Sequence, residues 1–96
     1  MADHTTYGLV CSELSEDLSK TNLGELELDS FQKNSVKIKI KAASLNFPDL
    51  LMTQGKYQNK PNLPFALGME GAGIVEKIGP EVSSLKEGDE VLFGGW

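Results

Sequence analysis

Within residues 35–43, Val36, Ile38, Ile40 and Ala42 alternate with Lys37, Lys39 and Lys41. Side chains return to the same face every two residues in a strand and every 3.6 in a helix. The run therefore predicts a β-strand with one apolar face and one face of ammonium groups. A chain built around such a strand must cover the apolar face with other elements. The lysine row reads either as an anion-binding face or as a solvated face whose charge discourages edge-to-edge pairing.

The rest of the sequence is cut into short pieces. Residues 7–13 read as a first strand, with Leu9, Val10 and Cys11 apolar, and 14–22 as a polar turn. Residues 23–28 alternate again and place Leu26 and Leu28 inward, so a hairpin is the simplest link between the two runs. Residues 46–54 fit one or two turns of helix. Asn46 is the cap, Pro48 lies in the first turn where its missing N–H costs nothing, and Gly55 stands just past the end. Residues 56–64 form a loop, 72–78 a strand closed by Gly79-Pro80, and 91–93 another after a Gly88-Asp89 turn. Short strands with one short helix and Gly, Pro and Asn punctuation predict a mainly β barrel or sandwich.

Composition narrows the function. With 96 residues the chain makes one domain with a modest core. A net charge of −5 and no arginine argue against nucleic acid, whose binders concentrate Lys and Arg. A single cysteine, Cys11, forms no internal disulfide and reads as a small buried apolar residue. No window approaches the ~20 apolar residues of a membrane span, and no signal-peptide core is visible, so a cytoplasmic location without membrane partners is expected. The lone His4 falls in a tail expected to be loose.

Gly68-Met69-Glu70-Gly71-Ala72-Gly73 invites comparison with the dinucleotide fingerprint G-x-G-x-x-G. Gly71 and Gly73 fit the first two places, but the third falls on Glu76. Ile74-Val75 and then Gly79-Pro80 read as strand and turn rather than the helix a phosphate needs. These glycines instead suit close backbone approach in a bent strand.

The same run, with Gly79, Val82, Lys86, Gly88-Asp89 and Val91, resembles the pattern G-x-E-x-x-G-x-V with a later V-G and then G-D-x-V. Upstream, Leu45-Asn46-Phe47-Pro48-Asp49 and Gly55-Lys56-Tyr57 complete the likeness. Over residues 36–91 the chain resembles the N-terminal GroES-like domain of the zinc-free, quinone-oxidoreductase branch of the medium-chain dehydrogenases. The resemblance implies a mainly β, GroES-like, partly open barrel with one short helix, truncated, so that residues 1–96 form a partial domain. The Rossmann nucleotide-binding domain is then absent from this chain.

Zinc-dependent members of that superfamily carry Cys at the position of Asn46 and His at that of Met69. An amide and a thioether are poor zinc ligands, so no metal is expected. The resemblance implies a substrate-side fragment of an NAD(P)H-dependent oxidoreductase that passes hydride from NADPH to quinones or enones. Such a fragment is expected to be inactive alone and homo-oligomeric in its full-length form. Asn46 would direct its amide toward the nicotinamide or the acceptor carbonyl, or only cap the helix. Tyr57 would orient the acceptor or supply a proton, or only pack in its loop. Glu70 is a supporting residue beside the lost His, and Asp49 a first-turn acid favoured by the helix dipole. The alternative is a non-catalytic interaction module, a docking subunit or a co-chaperonin-like protein, although no counterpart of a co-chaperonin's mobile apolar loop is found.

Overall fold

A computed structural model describes residues 5–94. Its elements run β1 (Thr5–Cys11), β2 (Thr21–Glu27), β3 (Val36–Ser44), α1 (Phe47–Thr53), β4 (Phe65–Ala66), β5 (Glu70–Ile78) and β6 (Glu90–Gly94). The expected tail around His4 lies outside the described residues, as does Trp96. Two units emerge. One holds the residues up to Asp29 together with Leu45–Gly68, the other Ser30–Ser44 together with the residues from Met69 onward.

The first unit contains α1 and an antiparallel sheet in the order β2-β1-β4. The expected hairpin is present, with β1 and β2 in register from Thr5↔Glu27 to Cys11↔Thr21. β4 was not anticipated: two residues carry no periodicity, yet Phe65 pairs with Cys11 and Ala66 with Val10. Cys11 (0% exposed), Met52 and Phe65 are the buried apolar side chains of this unit. Cys11 is thus the small core residue expected, its thiol donating to the Glu13 carbonyl at 3.2 Å. Leu28 departs from the reading. It lies beyond the end of β2 and is exposed, so only Leu26 of the pair turns toward the interior.

The second unit is the sheet β3-β5-β6. Ile38 pairs with Val75 and Ile40 with Gly73, which puts the Ile side of β3 on the same face as Val75, the unit's buried apolar side chain. An irregularity between Ile40 and Ala42 then inserts Lys41 as an extra residue. A one-residue insertion reverses the side on which later residues point. Ala42, expected beside Ile40, therefore pairs with Ala72 on the face that carries Lys39. The apolar face is only partly covered: Val75 is 2% exposed and Ile40 55%. At the other end of β3, Lys37 stands opposite Lys77, whose ammonium lies 4.4 Å from the Phe31 ring centroid, a cation–π contact.

β5 starts two residues earlier than expected, so Gly71 joins Gly73 as a strand residue. A Cβ on Gly71 would stand 2.7 Å from both the Ala42 carbonyl oxygen and Phe93 Cζ, and one on Gly73 would collide with the Lys39 carbonyl oxygen. Close backbone approach, not a phosphate cradle, is what these glycines permit.

Candidate functional site

The helix α1 organises the first unit's candidate residues, and both of its ends are closed by local chemistry. Asn46 is the N-cap in extended backbone (φ −134°, ψ 172°), with Pro48 in the first turn as expected. Asn46 and Asp49 form a capping box, in which Asp49 Oδ2 accepts the Asn46 N–H at 2.8 Å. At the other end Gly55 N–H donates to the Met52 carbonyl at 3.1 Å and Lys56 N–H to that of Leu51 at 2.9 Å. That is a Schellman closure, with Gly55 at φ +71° in the left-handed conformation it requires. The chain leaves this closure directly into Tyr57, which is half-buried.

The polar connection between β1 and β2, expected only to turn, is fastened to the same helix end. Ser15 N–H donates to the Thr53 carbonyl at 2.9 Å, and Gln54 Nε2 to the Glu16 carbonyl at 3.1 Å. Lys56 Nζ lies 3.1 Å from Glu16 Oε2. A Cβ on Gly55 would stand 2.9 Å from Leu14 Cδ1. The exposed ion pair adds little by itself. The backbone bond from Ser15 is the tie that does not depend on exposed charge, and Leu14 lies close enough over Gly55 that a larger residue there would crowd it.

Asp49 is the residue that sequence reasoning undervalued. Its side chain is 2% exposed, and while Oδ2 takes the Asn46 N–H, Oδ1 takes the Gly68 N–H, also at 2.8 Å. An acid at the third helical position signals a capping box. Nothing in the sequence signals a second partner 19 residues away.

Asn46 and Tyr57 thus sit at opposite ends of one short helix, whose seven residues span about 10 Å. Glu70 belongs to the second unit, where it opens β5, faces Ser44 across the ladder and accepts the Ser44 hydroxyl at 2.9 Å. Among the described residues no three His, Cys, Asp or Glu side chains gather as metal ligands, and no helix is long and apolar enough to cross a membrane.

The profile of the alcohol dehydrogenase GroES-like domain matches residues 32–96. The chain belongs to that family. Among its relatives, quinone oxidoreductase-like protein 2 of Rattus norvegicus is 37% identical over 83 residues, which are 86% of this chain and 23% of the relative. Mitochondrial enoyl-[acyl-carrier-protein] reductase of Xenopus tropicalis is 39% identical over 85 residues, 88% of this chain and 24% of the relative. The crystal structure of Escherichia coli quinone oxidoreductase complexed with NADPH superposes with a TM-score of 0.81 at 29% identity, covering 94% of this chain and 27% of that one. This GroES-like domain chain therefore spans about a quarter of the length of the relatives it matches. The mainly β class with one short helix, expected from the sequence, is the class this chain adopts, and the superposition covers nearly all of it.

Proposed function

We propose that this chain is the substrate-side portion of an NAD(P)H-dependent oxidoreductase that reduces quinones or enones by hydride transfer without zinc. The observation that carries the reading is Asn46, a neutral amide fixed at the N-cap of α1 where the zinc-dependent branch has a thiolate. Met69 in place of that branch's His points the same way. An amide oxygen and a thioether do not fit zinc. Asp49 is committed to the fold instead, each of its oxygens accepting a backbone N–H.

A nicotinamide, when bound, supplies the hydride itself. The residues of this chain suit the nicotinamide end of such a cofactor rather than its phosphates, since the glycine cluster is strand. Asn46 donates a hydrogen bond to the acceptor carbonyl as negative charge develops on its oxygen. Tyr57, held at the far end of α1, orients the acceptor through its phenol or delivers the proton that completes reduction. Glu70 supports the start of β5 through Ser44. The relative named for its complex with NADPH favours that cofactor over NADH.

The test is NADPH oxidation by the full-length protein with p-benzoquinone and with a simple enone. Turnover that survives a chelator, and that falls about 10²-fold in Asn46→Ala, is the expected result. Absence of turnover with both acceptors, or loss of turnover on chelation, overturns the reading.

A further inference from the structure

We infer that Asp49 is a positioning residue for the reaction: its buried carboxylate sets Asn46 in place by tying the start of α1 to the chain at Gly68. The inference rests on the role given to Asn46 above. The geometry is that of a two-handed acceptor. One oxygen holds the Asn46 N–H and the other the Gly68 N–H, each at 2.8 Å. The Asp49 N–H returns a bond to the Asn46 carbonyl at 3.0 Å. The peptide groups on both sides of the Asn46 Cα are therefore engaged by one residue, which fixes where its side chain starts.

The second bond gives this arrangement a purpose beyond capping. A cap needs one oxygen, and an exposed aspartate at the third helical position would serve. Here the side chain is 98% withdrawn from solvent, and its other oxygen reaches Gly68, whose φ of +106° admits glycine readily and other residues poorly. Burying a carboxylate is costly unless its oxygens are hydrogen-bonded, and two charge-assisted bonds to backbone N–H groups meet that requirement. The segment after β4 is thereby tied to the first residues of α1, with Asn46 between α1 and β3 in the chain. Hydride transfer depends on register between donor and acceptor, and a misplacement near 1 Å can cost on the order of 10²-fold in rate.

Asp49→Asn is the informative variant. It is isosteric but has one side-chain oxygen, so one of the two N–H groups must lose its acceptor and face an amide N–H instead. In the full-length protein, hydrogen–deuterium exchange is expected to quicken at Asn46 or Gly68 while the β1–β2 and β3–β5 ladders keep their protection. The kcat for p-benzoquinone is expected to fall 10- to 100-fold, with the NADPH KM within about twofold of the parent. If Asp49→Ala fails to fold, Asp49→Asn still decides. Unchanged exchange at both amides, or quickened exchange with kcat within twofold, overturns the proposal. So does a kcat loss that only tracks the fraction of folded protein. If the parent reduces neither quinone nor enone, the functional reading fails on its own. The exchange data then still test whether Asp49 holds Asn46, and unchanged protection sinks that too.

Discussion

Asp17 shows what a single exposed residue contributes in the β1–β2 connection. Hydrogen bonds from Ser19, its side chain first and its backbone N–H second, hold the Asp17 carboxyl below its ordinary value of 3.8. A carboxyl whose folded pKa is depressed contributes stability that is complete above the unfolded value and lost as pH falls through the lowered folded value. The contribution therefore disappears only on the acid side of 3.8, and it is small because the group is fully exposed. Ser19→Ala is expected to raise the Asp17 pKa toward 3.8, read by NMR titration of its carboxyl carbon; an unmoved titration would show that the hydroxyl is not the cause. At this scale the sequence is informative where chemistry is local. Cys11 as a core residue and Asn46 as a cap are set by residue type and position. The reach of Asp49 to Gly68 is not, because its partner is brought near only by the fold.

Among the elements, β3 is legible because nine residues of near-regular alternation leave few other solutions. β4 is not, since two residues stand as a strand only through their pairing with β1. The side on which Ala42 points differs from expectation because a bulge at Lys41 is decided by the register of β5 and not by the lysine pattern. Glycine positions separate in the same way. Gly73→Ala drives a methyl against the Lys39 carbonyl, backbone that cannot swing aside, and a loss of about 1–3 kcal/mol is expected. Gly8→Ala meets nothing within 4 Å and removes the entropic cost of a strand glycine, so it is expected to be neutral or to gain up to about 1 kcal/mol. Urea unfolding of the two variants checks the contrast, and equal midpoints would show that the β3–β5 contact is not tight.

For the whole molecule, what the described residues leave uncovered matters as much as what they bury. Leu92 is 86% exposed on β6, a strand paired on one side only, beside Ala72. An apolar side chain on an open edge favours association with other strands. The chain is expected to self-associate as concentration rises, and Leu92→Lys to suppress this; sedimentation velocity across a concentration series decides, and an unchanged mass distribution would exclude β6 as the contact. The same exposure limits what the sequence can say about burial, because Ile40 belongs to an apolar face that the described residues cover only in part.

The two units are interleaved along the chain, which passes between them after Asp29, Ser44 and Gly68. During synthesis the first unit lacks β4 until residue 66 has left the ribosome, and β3, which ends at Ser44, waits until Glu70 for β5 to begin. Neither unit can be released by one cut or deleted as one contiguous stretch. β3 is thus made well before its partner β5, and a strand that carries Lys37, Lys39 and Lys41 is of the kind that edge charge protects from wrong pairing.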